Sequence, residues 1–173
     1  MLKVDLLENS SFLNSYLTEK DFSFISSLDK NIQEIDSKIN LFQKIRECII
    51  SLINNLPDTA AEDSIKNFST VVDNTTIAFS YVNECIKLLL DAEEHTKALN
   101  SNIVGLLIDI SSKKFSPDES TSKTLVIKQD IAEYSSFIDE INSEVSLKKS
   151  LISFRMNAES STTNNFFLRT LFN

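Results

Sequence analysis

The sequence is almost free of glycine. Among 173 residues there is one glycine, Gly105, together with two prolines, Pro57 and Pro117. Sheet proteins need glycine in hairpin turns and bulges, and phosphate-binding loops need several where the backbone meets the ligand. One glycine cannot complete either GxxxxGK[ST] or GxGxxG, so the sequence has neither nucleotide-binding motif. The scarcity predicts few tight turns and therefore an all-α fold of long helices joined by few connections.

Basic charge is scarce as well. The chain has 17 lysines and arginines against 25 acidic residues, which gives a net charge of −8. The acidic excess lies in residues 1–120, whereas the two signs are balanced over residues 121–173. Most of the chain would repel a phosphate backbone, so nucleic acid is not expected as a partner. One small basic group is interpreted as a solvated face rather than as a phosphate site. It consists of Lys148, Lys149, Arg155 and Arg169.

Long apolar runs and paired cysteines are also missing. The longest clean apolar run is IVGLLI at 103–108, far short of the ~20 residues that span a bilayer, so no integral membrane contact is expected. The opening residues MLKVDLLENS lack the apolar core of a signal peptide. Cys48 and Cys85 have no CxxC spacing and no neighbouring histidines. We therefore expect a reducing, cytoplasmic setting and two free thiols.

A single histidine, His95, limits the metal and catalytic chemistry that the sequence supports. Asp91 lies one turn before it, and the two side chains could form half of a metal site. The Glu-x-x-His motif of carboxylate-bridged di-iron bundles is absent, because position 92 is alanine. Catalysis by Ser-His-Asp or Cys-His would need the same histidine, which has no recognisable nucleophile context. His95 is interpreted as an exposed helical residue, and no enzyme activity, metal or cofactor is expected.

The spacing of bulky apolar residues predicts a first long helix between a start signal at Thr18–Asp21 and a stop at Pro57. These residues recur at alternating steps of three and four, which is the heptad spacing of a helix that packs lengthwise on others. The predicted seam of this helix comprises Ile25, Leu28, Ile32, Ile35, Ile39, Phe42, Ile45, Ile49, Leu52 and Leu56.

A second helical pattern begins after residues 58–63. Its predicted seam comprises Ile65, Phe68, Val72, Thr75, Phe79, Val82, Leu89, Ala92, Leu99, Ile103, Leu106 and Ile110. The polar interval DAEEHTKALN at 91–100 could kink or break this helix. The third helix has the strongest start signal, since Ser116 and Glu119 form a capping box around Pro117. Its predicted seam comprises Ile127, Ile131, Tyr134, Ile138, Ile141, Val145, Ile152 and Met156.

Long helices with short connections run antiparallel to their neighbours. We therefore predict an elongated antiparallel three-helix bundle with coiled-coil-like seams over residues 18–157, or four helices if the second one breaks near 91–100. A short N-terminal helical arm, residues 1–17, precedes the bundle. A polar linker and an apolar C-terminal tail, together residues 158–173, follow it. The antiparallel register places the two cysteines ~25 Å apart, beyond the reach of a disulfide.

The tail sequence FFLRTLF at 166–172 admits three interpretations. It could fold back over an end of the bundle, or its aromatic side chains could dock into the groove of a partner. It could also bind a membrane surface, although one arginine supplies little basic charge for that mode. The predicted partner-binding residues are Phe166, Phe167, Leu168, Leu171 and Phe172.

The leading functional hypothesis is a non-catalytic helical adaptor or scaffold subunit of an intracellular protein assembly. It would bind protein partners through its bundle ends and its C-terminal tail, with a hetero-oligomer favoured over a homodimer. The alternative is a chaperone or escort of a secretion-system substrate. A metal-binding or enzymatic bundle is the third hypothesis.

Overall fold

The computed structural model describes residues 16–54 and 62–157, and the side chains of 62–69 fall outside this description. The described chain forms three α-helices, α1 (Glu19–Asn54), α2 (Glu62–Ser111) and α3 (Pro117–Asn157). They contain 36, 50 and 41 residues, and they pack against one another without any strand in the described part of the chain. The predicted all-α bundle of three helices is confirmed.

Both predicted helix starts are present as reciprocal caps. At the start of α1, the Thr18 amide donates to the Asp21 carboxylate at 2.8 Å and the Asp21 amide donates to the Thr18 hydroxyl at 3.2 Å. At the start of α3, the Ser116 amide donates to the Glu119 carboxylate at 3.1 Å and the Glu119 amide donates to the Ser116 hydroxyl at 3.3 Å. Each pair satisfies amides that the first helical turn leaves without partners, so these caps fix where the two helices begin.

The end of α2 is closed by a Schellman motif. The Lys113 amide donates to the Ile110 carbonyl and the Lys114 amide donates to the Asp109 carbonyl, both at 3.1 Å. This motif needs a residue in the left-handed region, and Lys113 takes that conformation with φ of 53°. An ion pair of 3.7 Å between Lys114 and Asp109 spans the same turn. The one glycine of the chain does not occupy this turn. It is Gly105, which lies inside α2.

The chain divides into two compact units, each of which takes part of all three helices. The first unit consists of Met1–Ile35 and Asp91–Glu140. In it, α2 and α3 are antiparallel: Thr96 contacts Tyr134, and the preceding His95 contacts Phe137 further along α3. Its core is made of buried residues from all three helices and the segment before α1, namely Leu17, Ile25, Leu28, Leu99, Ile103, Leu107, Ile110, Ile127, Ile131 and Tyr134.

The second unit consists of Asp36–Leu90 and Ile141–Asn173. Here too α2 and α3 are antiparallel, since Lys148 pairs with Glu84 while the later Arg155 bonds the earlier Asn74. Its buried apolar residues are Ile39, Phe42, Ile45, Ile49, Ala78, Val82, Cys85, Ile86, Leu89, Ile141, Val145, Ile152 and Met156.

The predicted alternative of a break near 91–100 is wrong, because α2 is one continuous helix from Glu62 to Ser111. Ala92, Thr96 and Leu99 are all buried and continue the three–four spacing through this interval. The acidic and basic residues of the interval lie outside this seam. Thr96, which lies within the seam, forms hydrogen bonds with Ala92 and Tyr134. A polar stretch is compatible with an unbroken helix when its polar residues miss the buried face.

A few seam predictions are only partly met. The side chains of Ile32, Leu52, Val72, Phe79, Leu106 and Ile138 are half-buried rather than buried. Leu107 is fully buried instead of its neighbour Leu106, which means that the step after Ile103 is four residues rather than three. Leu56, Ile65 and Phe68 fall outside the described side chains, so the prediction for them stands untested.

Candidate functional site

The residues predicted to bind partners lie outside the described part of the chain. Phe166, Phe167, Leu168, Leu171 and Phe172 all fall within 158–173, and most of the predicted N-terminal arm falls within 1–15, where the structure describes nothing. The described residues therefore offer two kinds of candidate site. These are polar groups inside the two units and apolar side chains on their outer faces.

His95 packs on the surface of the first unit. Its Nδ1–H donates to the Asp91 carbonyl oxygen at 2.8 Å, so in the neutral ring Nε2 is the acceptor. The ring also lies against Phe137 with 4.6 Å between centroids and 35° between planes. It is thus the Asp91 backbone, not its carboxylate, that His95 contacts. His95 is therefore an exposed helical histidine whose ring packs against Phe137.

Across 16–54 and 62–157 there is no group of three or more His, Cys, Asp or Glu side chains that could hold a metal ion. Within the same ranges no helix combines the length and the apolar character needed to cross a membrane.

A buried pair of hydroxyls joins α2 to α3 in the first unit. Thr96 is fully buried, and its hydroxyl donates to the Ala92 carbonyl at 2.6 Å while it also contacts the Tyr134 hydroxyl. Since Thr96 has one proton to donate, the Tyr134 O–H is the donor between the two side chains. Burial raises the pKa of Tyr134. Phe24 adds an edge-on contact to the Tyr134 ring with centroids 5.8 Å apart.

The hydroxyl pair was not predicted from the sequence. Tyr134 was assigned to the α3 seam, but Thr96 was hidden inside the polar interval 91–100. The signal that could have found it is the spacing alone, because Leu89, Ala92, Thr96 and Leu99 follow the same three–four steps as the rest of α2.

Lys148 is the centre of a second polar group, in the second unit. Its ammonium lies 3.0 Å from the Glu84 carboxylate and 6.0 Å from the centre of the Tyr81 ring. The hydrogen bond to Glu84 raises the pKa of Lys148. The adjacent Cys85 is fully buried, and burial raises the pKa of its thiol to about 11, with Lys148 acting in the opposite sense. A buried, neutral thiol is a packing residue rather than a nucleophile.

Cys48 is a free, half-buried thiol, and burial raises its pKa as well. Its neighbour Glu47 acts in the same direction. Both cysteines are free in the structure, as expected from the sequence.

The small basic group predicted as a solvated face is partly engaged with α2. Besides the Lys148 ion pair, the Arg155 guanidinium donates to the Asn74 amide oxygen at 3.1 Å. Arg169 lies outside the described residues. Two members of this group therefore hold α3 to α2 in the second unit, and they do not form a cluster directed at an anionic ligand.

Apolar side chains on the outside of α3 were missed by the sequence reasoning. Leu147 and Phe154 are 61% and 69% exposed, the two most exposed large apolar residues in the described chain. They are seven residues apart, or two helical turns, so they share a face. The three–four spacing of α3 predicts only its buried face, and two apolar residues on the opposite face do not by themselves form such a pattern.

Comparison of the chain with known protein families, with curated proteins and with solved structures finds no match in any of the three.

Proposed function

We propose that the chain is a non-catalytic helical adaptor, a subunit that binds other proteins in a cytoplasmic hetero-oligomer. The single observation that supports this proposal most is the contrast between engaged polar groups and exposed apolar ones. The polar side chains singled out in the two units serve caps, ion pairs and buried hydrogen bonds. Leu147 and Phe154, by contrast, face solvent with most of their surface.

Large apolar residues exposed on an outer helix face lower the solubility of a protein unless another surface covers them. Protein partners commonly bind through such aliphatic and aromatic anchors. The predicted tail residues Phe166, Phe167 and Phe172 add three more aromatic side chains within reach of the end of α3. In this proposal the helices form a rigid support, and the tail is the principal contact with the partner.

The test is affinity capture from the native cell at native expression level. We compare the wild-type chain with the variant F166S/F167S/F172S and with a control, L125S/V126S, which replaces exposed apolar residues of α3 in the first unit. We expect the tail variant to lose at least ~90% of a stoichiometric protein partner, since aromatic anchors dominate such interfaces. The control should retain it. Equal recovery of the same partner by all three would contradict the proposal.

A further inference from the structure

The outer face of α3 in the second unit carries an apolar stripe, made of Leu147, Leu151 and Phe154. Leu147 and Phe154 are 61% and 69% exposed, and Leu151 between them is half-buried. At 3.6 residues per turn, Leu147 and Phe154 point away from the buried Val145 and Ile152 of the same helix. The stripe is therefore a second, opposite face of α3, which the described residues of its own unit leave uncovered.

We propose that residues 166–172 of the same chain, FFLRTLF, dock on this outer stripe. Chain length is the first argument. The stripe ends at Phe154, three residues before α3 ends at Asn157, and residues 158–165 connect that end to the docking segment. These eight residues span up to ~28 Å when extended. Leu147, the far end of the stripe, lies only ~15 Å back along the helix from Asn157. The connection therefore reaches the whole stripe.

Chemical complementarity is the second argument. The docking segment has five apolar side chains and one charge, Arg169. Glu144 is exposed on α3 three residues before Leu147, so a segment that runs back from Asn157 brings its arginine toward this carboxylate. Apolar contact supplies the attraction, and the opposite charges favour this direction of docking.

Attachment to the same chain makes this docking more favourable than binding from solution. A connection of only eight residues holds the segment at an effective concentration of the order of millimolar beside the stripe. The inference shares its tail with the proposed function but does not require it, because docking takes place in the isolated chain. If both are correct, a partner has to displace the tail from the stripe before it binds.

Trypsin cleavage at Arg169 tests the docking directly, because Arg169 is the one basic residue of 158–173. The readout is the initial rate at which residues 170–173 are released, measured by mass spectrometry. We compare the full chain with L147S/F154S, with the control L125S/V126S, and with a synthetic peptide of residues 158–173. All substituted side chains are exposed, so the variants should keep the wild-type helical content by circular dichroism.

We expect the wild-type chain and the L125S/V126S control to be cleaved ~10-fold more slowly than the peptide, and L147S/F154S to be cleaved at nearly the peptide's rate. Wild-type cleavage at the peptide's rate would show that the tail is undocked. Protection that survives L147S/F154S would place the tail elsewhere, and protection lost on dilution would assign it to a second copy. Each of these three results overturns the proposal. None of them bears on capture of a partner, which tests the proposed function separately.

Discussion

Thr96 is a polar residue that the core of the first unit accommodates because its hydroxyl is hydrogen-bonded. It is fully buried in a seam of aliphatic side chains, yet its hydroxyl donates within the helix to Ala92 and accepts from Tyr134. A buried hydroxyl without partners costs about 1–3 kcal/mol. Because both oxygens have partners here, the pair is compatible with the core of the first unit, and it restricts how α2 aligns with α3.

A double-mutant cycle on Thr96 and Tyr134 tests this pairing. We expect Thr96→Val to destabilise the chain by about 2 kcal/mol, because it leaves the buried tyrosine hydroxyl without its acceptor. Tyr134→Phe should cost about 1 kcal/mol, since Thr96 keeps its bond to Ala92. The double variant should cost about 1 kcal/mol less than the sum of the two. Urea unfolding followed by circular dichroism gives the three values, and strict additivity would show that the hydroxyls do not interact.

Residue identity alone could not have separated Thr96 from its neighbours in 91–100. In this interval the spacing predicts a buried face, whereas the polar composition predicts an exposed stretch. The structure confirms the spacing, since Ala92, Thr96 and Leu99 are buried. For Leu147 and Phe154 the opposite holds, since both are strongly apolar and neither is buried. A seven-residue interval on the face opposite the seam was the only signal available for them.

At the scale of the helix, the chain's one glycine lies inside a helix, whereas a lysine takes the left-handed turn position at which glycine is favoured. Gly105 is exposed inside α2, and a side-chain carbon added there would meet nothing within 4 Å. Lys113 occupies the left-handed position of the Schellman motif after α2. Glycine is disfavoured within helices and favoured at this turn position.

We expect Gly105→Ala to stabilise the chain by ~0.5–1 kcal/mol, because alanine restricts the unfolded chain and extends helix-favouring sequence. Lys113→Gly should stabilise it by about 1 kcal/mol, since it removes the strain of a side chain at positive φ. The double variant should show both gains, because the two sites share no contact. Thermal unfolding measures these shifts.

Ser122→Gly, at an exposed position inside α3, is the matched control. It should destabilise the chain by ~0.5 kcal/mol, because serine is a moderately better helix former than glycine. A loss of stability with Gly105→Ala would mean that the backbone at this position is not helical in solution.

The starts of α1 and α3 were predicted correctly from the sequence, whereas the predicted stop at Pro57 lies outside the described residues. The Thr18–Asp21 and Ser116–Glu119 pairs are short, local signals, and the structure forms the expected reciprocal bonds at both. The division of the chain into two units could not be predicted in the same way. It depends on which side chains contact each other across distant parts of the sequence, and the spacing of apolar residues within one helix does not specify those contacts.

For the molecule as a whole, three unbroken helices, packed on seams of three–four spacing, form the described chain. From the sequence a break would be most expected at 91–100, because this interval is polar and its seam contains the Thr96 hydroxyl.

Amide hydrogen exchange of the full chain, resolved by residue or by short peptides, shows whether the three helices are continuous in solution. We expect three continuous blocks of slow exchange, at 19–54, 62–111 and 117–157, with faster exchange only in the terminal turns. Amides of 91–100 should be as well protected as those of the flanking turns of α2. Fast exchange throughout 91–100, between two protected stretches, would contradict the account by dividing α2 in two.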